Sequence, residues 1–128
     1  MADGLVLSID GMGGDSAPDI VVEGVDIHAR ANAGVRYLIH GDAVRINALL
    51  ERYPHAKAAS AVVPAEKSIG MEVKPSQALR QGKGSSIWNA VESVKDGRAH
   101  AIVSAGNTGA FMAISMFELR KMEGVHRP

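Results

Sequence analysis

The chain has 128 residues, one domain's worth, with 14 basic residues balancing 14 acidic ones, few aromatics and no cysteine. Balanced charge and missing stacking platforms exclude an electrostatic footprint for nucleic acid. The lack of cysteine excludes disulfides, thiolate metal sites and a cysteine nucleophile within this chain, and is compatible with a cytoplasmic setting.

Apolar runs of strand length alternate with segments of helical period, the signature of repeated βα units and a parallel sheet. Four such units are expected. The first pairs a strand over Leu5–Ile9 with a helix from about Ala17 to Ala31. Ile20, Gly24, Ile27 and Ala31 form its predicted buried face, with Val21, Val25 and His28 beside them. Ser16 is its expected N-cap, with Pro18 in the first turn and Asp19 facing the positive helix end. The second unit is a strand over Val35–His40 followed by Asp42 as N-cap and a helix to Tyr53. That helix buries Val44 or Ile46 with Leu49 and Leu50, and Pro54 closes it.

The third strand is expected over Ala58–Val63 and ends at Pro64. Its helix begins near Ser85 or Ser86, so the connection is long enough to hold a short helix around Ser76–Arg80 or a functional loop. Ile87, Ala90, Val91 and Val94 form one face of the helix from Ser86, which stops at Gly97. Ala99–Val103 is the fourth strand, and a surface helix over Ala110–Met122 ends at Gly124. The final residues Val125, His126, Arg127 and Pro128 read as the entry to another element, so the chain is expected to be part of a longer one. No basic and apolar leader precedes the first strand, where acidic Asp3 is followed at once by the strand, and no apolar run has the length of a membrane span. Any membrane contact is therefore expected to be peripheral.

Two strand-to-helix turns carry the chemistry. In Ser104-Ala-Gly-Asn-Thr-Gly-Ala110, Gly106 and Gly109 permit a sharp turn and close approach to the main chain. Thr108 is a candidate helix cap, and Asn107 supplies both a donor and an acceptor. In Ile9-Asp-Gly-Met-Gly-Gly-Asp15, the glycines Gly11, Gly13 and Gly14 exceed what capping needs. If both strands lie in one parallel sheet, both turns open on its carboxyl edge, where α/β proteins bind ligands, and free helix-start amides there favour an anion. The segment Ala65–Gly84 is locally basic through Lys67, Lys74, Arg80 and Lys83. Lys83, between Gly82 and Gly84, leads into the Ser85, Ser86 helix start and could reach a phosphate held there. The histidines at 28, 40, 55, 100 and 126 lack metal-ligand spacing, so no metal site is expected.

Two standard phosphate motifs fail. No Gly-Lys-Ser/Thr follows a glycine at Walker spacing, and the Gly11–Ser16 turn puts Ser16 where a dinucleotide fingerprint needs glycine or alanine, with Asp15 against the pyrophosphate. Asp42 sits where a ribose-binding acid would sit, which keeps an NAD-binding dehydrogenase lobe as an alternative, although an N-cap explains it more simply. A non-catalytic carrier-protein docking module is a further alternative.

The Ile9–Asp15 turn with Ala17 and Pro18, His40-Gly-Asp42, Pro75 with Ala78-Leu-Arg80, the Ser85–Ser86 pair, the Ser104–Ala110 run and the closing Gly124, Arg127 and Pro128 together resemble the PlsX-type phosphate acyltransferases. The resemblance covers essentially the whole chain. Gly11 stands where that family commonly has Ala, and Phe111 where Leu or Met is usual. Members are well over twice this length, so the resemblance implies an N-terminal part. It implies a three-layer α/β sandwich of βα units around a parallel sheet, similar to the isopropylmalate dehydrogenase and phosphotransacetylase-like fold.

The implied reaction is transfer of a fatty acyl group from acyl carrier protein to inorganic phosphate, giving acyl phosphate for phospholipid synthesis, with no cofactor. The implied setting is a cytoplasmic homodimer, peripherally membrane-associated when full length, that supplies a glycerol-3-phosphate acyltransferase at the membrane. Phosphate is itself the nucleophile, so a chain without cysteine can serve. Expected phosphate or pantetheine-phosphate contacts are the amides around Gly11, Gly13, Gly14, Gly106 and Gly109, with Ser85, Ser86 and Ser104. Lys83 and Arg80 are expected to compensate charge, and Asn107 and Thr108 to donate to phosphate or an oxyanion. Asp10 and Asp15 are expected to orient the turn. The isolated segment is expected to be inactive.

Overall fold

A computed structural model describes residues 4–127. Pro128, part of the family-like ending, and Asp3, part of the leader reading, lie outside the described residues. The strands are β1 (Val6–Asp10), β2 (Arg36–Gly41), β3 (Ser60–Pro64) and β4 (Ala101–Val103). The helices are α1 (Asp19–Ala31), α2 (Ala43–Leu50), α3 (Pro54–Ala59), α4 (Pro75–Gln81), α5 (Ser86–Lys95) and α6 (Thr108–Leu119). All strand pairs are parallel and the order is β3-β2-β1-β4, so the expected α/β architecture of βα units is present.

Strand alternation divides the sheet into two faces of different character. On one, Ile9, Tyr37 and Ile39 pack with Val22 and Val25 of α1, Ile46, Leu49 and Leu50 of α2, and Ala56 of α3. On the other, the buried side chains under α5 are polar. Ser8 donates to the Ala90 carbonyl at 2.8 Å, Ser86 donates to Asp10, and the Ser93 hydroxyl meets His40 Nε2 at 3.1 Å. Ser86, Ala90 and Ser93 are small enough to let α5 approach the strands closely, and the two serine hydroxyls meet Asp10 and His40 Nε2, groups that burial would otherwise strand. A separate apolar cluster joins Ala78 of α4, Ile87, Trp88 and Val91 of α5, and Ala110 and Ile114 of α6.

Several boundaries differ from the sequence reading, each for a local reason. The first helix starts at Asp19 with Pro18, expected in the first turn, at the N-cap position and no side-chain cap; Ser16 lies in the turn that follows Gly14, and its carbonyl rather than its hydroxyl meets the helix. Pro54 does not close the second helix region. It starts α3 at a first-turn position where its missing N–H costs nothing, so α2 ends at Leu50 and the third strand begins only at Ser60. The fourth strand pairs only from Ala101. The last helix stops at Leu119, where Arg120 turns the chain at φ +66°, and Gly124 lies in a later turn. Asp42 and Ser85 are N-caps, accepting from Arg45 N at 3.2 Å and Trp88 N at 3.3 Å. The short helix around Ser76–Arg80 is α4, and Ile46 rather than Val44 is the buried choice in α2.

The α1 face is a correction. Val22 and Val25 are buried, whereas Ile20 and Ile27 are 58% and 53% exposed.

Candidate functional site

The carboxyl ends of β1 and β4 are adjacent, so the turns that follow them meet at one edge of the sheet. Their contact is close enough to require glycine. A Cβ on Gly13 would stand 2.5 Å from Asp10 Oδ2 and 2.9 Å from both Gly106 N and Ser104 Oγ. One on Gly106 would stand 3.1 Å from Gly13 Cα. The two glycines are therefore the contact itself, and the turns form one continuous rim.

Asp10 holds this rim together. It is buried at the end of β1 and accepts three hydrogen bonds, from Ser86 Oγ at 2.6 Å, Ser104 Oγ at 2.8 Å and Met12 N at 3.2 Å. Ser104 Oγ in turn accepts from Gly106 N at 3.1 Å. One carboxylate thus joins the start of α5 and both glycine turns, each segment contributing a donor. From its place at the end of β1, Asp10 is expected to orient its own turn, and it does more. Its reach to Ser86 and Ser104 was invisible because those partners are 76 and 94 residues away.

Asn107 is the N-cap of α6, a position assigned from the sequence to Thr108. Its Oδ1 accepts from Ala110 N at 3.1 Å, while its amide nitrogen donates to the carbonyls of Val73, Gly70 and Met71 at 2.7, 3.1 and 3.3 Å. Both ends of the carboxamide are committed, so Asn107 fastens the 70–73 loop to the helix start. Thr108, already helical, is exposed.

The other expected contacts sort in the same way. Ser85, Ser86 and Ser104 spend their hydroxyls on the cap and on Asp10. The Gly11 amide donates to the His40 carbonyl at 2.8 Å and that of Gly13 to the Asp10 carbonyl at 3.4 Å. The amides of Gly14, Thr108 and Gly109 meet no acceptor among the described residues. These amides and the Thr108 hydroxyl are among the open donors of the rim; Thr108 and Gly109 lie at the positive end of the twelve-residue α6, and Gly14 lies in the turn after β1. Arg80 and Lys83 are exposed, with no hydrogen bond among the described residues, and Lys83 lies three residues before the anchored Ser86. Lys67 instead donates to the Gln81 carbonyl at 2.6 Å, tying the long connection to the end of α4. Asp15 is exposed at the turn's outer end.

Asp42 is occupied as an N-cap beside a separate cavity of about 310 Å³ at the ends of β2 and β3, which includes Met12, Glu66 and Lys67. Behind the rim, burial and the charge of Arg98 lower the His40 pKa to about 4, so its imidazole is neutral at physiological pH. No group of histidine and acidic side chains with metal-holding geometry occurs among the described residues, and none of their helices is long and apolar enough to cross a membrane.

Fold and site together define an α/β protein whose glycine turns and helix start present open amides at the carboxyl edge of a parallel sheet. The sequence profile described as "Fatty acid synthesis protein" matches residues 5–128, and the chain belongs to that family. It is 54% identical over 128 residues to the phosphate acyltransferase of Caulobacter vibrioides and 53% identical over 128 residues to that of Paramagnetospirillum magneticum. It is 47% identical over 129 residues to the phosphate acyltransferase of Parvibaculum lavamentivorans. All three matches cover 100% of this chain but only 36% of each relative.

Proposed function

We propose that this chain supplies the phosphate-holding part of a phosphate acyltransferase that moves a fatty acyl group from acyl carrier protein to inorganic phosphate. The observation that carries this reading is the fused rim: two glycine turns in contact, locked by Asp10, with the open amides of Gly14, Thr108 and Gly109 and the Thr108 hydroxyl beside them. Tetrahedral dianions suit such amide sets.

In the proposed reaction a phosphate oxygen attacks the thioester carbonyl carbon. The C–O bond forms, the C–S bond breaks, and the proton of hydrogen phosphate passes to the departing thiolate. The rim holds phosphate in line and donates to the transient oxyanion, and Lys83 and Arg80 offset the gathered negative charge. Asn107 acts on this reading as the fastener of the helix start. The full-length enzyme would work as a cytoplasmic homodimer with peripheral membrane contact, passing acyl phosphate to a glycerol-3-phosphate acyltransferase, and residues 1–128 alone would be inactive.

The test is a chimera in which this chain replaces the matched stretch of the Caulobacter vibrioides protein, supplied with acyl-acyl carrier protein and phosphate. Acyl phosphate should form, and Thr108→Ala or Lys83→Ala should lower turnover by about a hundredfold. A folded chimera that releases no acyl phosphate overturns the proposal, and so does full acyl transfer by residues 1–128 alone.

A further inference from the structure

Helix α6 is apolar on every side. Thr108, Ser115 and Glu118 are its only residues with polar side chains, and Glu118 is held by Lys95 at 2.9 Å. Ala110 and Ile114 pack with α4 and α5, yet Met112, Met116 and Leu119 stand 46%, 38% and 38% exposed. A helix that is apolar all round belongs between two apolar surroundings, and only one of them is present among the described residues.

The outer side of α6 carries an open groove of about 280 Å³. Its floor is the stripe Thr108, Phe111, Met112, Ser115, Met116 and Leu119, whose spacing of three and four residues puts them on one helix face. Two properties select the occupant. The groove begins at Thr108, whose amide and hydroxyl are open donors of the rim, so a molecule lying in it has one end at the phosphate position. It then follows the helix from Thr108 to Leu119, a run of about 16 Å at a rise of about 1.5 Å per residue.

A saturated acyl chain has this shape. Carbon–carbon bonds of about 1.5 Å at near-tetrahedral angles advance an extended chain by about 1.25 Å per carbon, so about thirteen carbons span the stripe. Arg120 and Lys121 line the far end, where their aliphatic stems can cover a longer tail while their charged heads stay in water. Met112 and Met116 suit such a ligand, because unbranched thioether side chains repack around tails of different length.

We infer that this groove is the acyl-chain subsite, with the thioester carbonyl at Thr108 beside the rim and the hydrocarbon tail along α6 toward Leu119 and Arg120. The inference rests on the reaction proposed above. It makes α6 a ruler of chain length, with Ser115 about 10 Å and Leu119 about 16 Å from the carbonyl end.

The test uses the chimera, supplied with phosphate and acyl carrier protein bearing six-, twelve- or sixteen-carbon chains. Ser115→Trp should lower kcat/KM tenfold or more for the twelve- and sixteen-carbon donors relative to the six-carbon one. Leu119→Trp should do the same for the sixteen-carbon donor relative to the twelve-carbon one, and KM for phosphate should stay unchanged in both. Equal losses at all three lengths overturn the inference, because protein rather than substrate then fills the groove, and so does no loss at any length. A folded, unsubstituted chimera that releases no acyl phosphate from any donor fails differently: it removes the proposed reaction, and the subsite with it. A measurement without substitutions serves where a tryptophan variant does not fold. Decanoate below its micelle concentration, titrated into this chain with ¹³C-labelled methionine methyls, should shift Met112 and Met116 saturably, and butyrate should not. Met122, 80% exposed but outside the groove lining, should stay in place. Equal shifts at Met122, or none at Met112 and Met116, overturn the inference.

Discussion

Replacing Asp10 measures how much of the site's geometry rests on one carboxylate. In Asp10→Ala three donors lose their acceptor, and one of them, Ser86 Oγ, belongs to a residue only 1% exposed. Hydrogen bonds to a charged acceptor are worth about 1.5–3 kcal/mol each, whereas relief of the carboxylate's desolvation works in the opposite direction. A net loss of about 3–4 kcal/mol follows, which at roughly 4 °C per kcal/mol for a domain of this size lowers Tm by about 12–16 °C. Asp10→Asn keeps one acceptor oxygen for Met12 and Ser86 and turns a donor toward Ser104, whose oxygen already accepts from Gly106. Its expected cost is smaller, about 1–2 kcal/mol. Thermal unfolding followed by circular dichroism reads both, and a double-mutant cycle with Ser86→Ala should give a coupling of about 1 kcal/mol or more. An Asp10→Ala variant melting within about 2 °C of the parent, or a coupling near zero, would refute the role given to this residue.

Other substitutions probe separate links. Gly13→Ala should cost about 2–3 kcal/mol because its methyl group overlaps Asp10 and the Ser104–Gly106 turn, while Gly24→Ala in this chain should gain about 0.5–1 kcal/mol, both read by urea unfolding. Asn107→Ala removes a cap and frees the 70–73 loop; amide exchange should rise at Val73 and at the start of α6, and unchanged protection there would contradict the fastening role. His40 titrates at about 4 when folded against 6.5 when unfolded, so its neutral form favours folding fully above pH 6.5. That contribution, on the order of 3 kcal/mol, is lost as pH falls from 6.5 through 4. His40→Gln should flatten the acid side of the stability profile, and an unchanged profile would contradict the assignment.

Most of the fold is legible because strand-length apolar runs alternate with segments of helical period from Leu5 onward. The losses came where tertiary context overrode a local signal. Pro54 carries the same punctuation whether it ends one helix or starts the next, and nothing local to Arg120 announces a left-handed turn. Ile20 and Ile27 have the periodicity of a buried face, and nothing local says that Val22 and Val25 take the core side instead. At the site, the meeting of the two turns followed from parallel topology, so Gly13 and Gly106 were legible. Which polar groups are free was not. The long-range partners of Ser86, Ser104 and Asn107, namely Asp10, Gly70 and Val73, lie too far along the chain to be read from local pattern.

Titrating inorganic phosphate into the ¹⁵N-labelled chain at constant ionic strength reads out whether the fused rim is an anion site. Saturable shifts should concentrate at the amides of Gly14, Thr108 and Gly109, with chloride producing none. Shifts scattered over exposed lysines and arginines, or no saturable shift in the rim amides, would show that the rim does not hold phosphate.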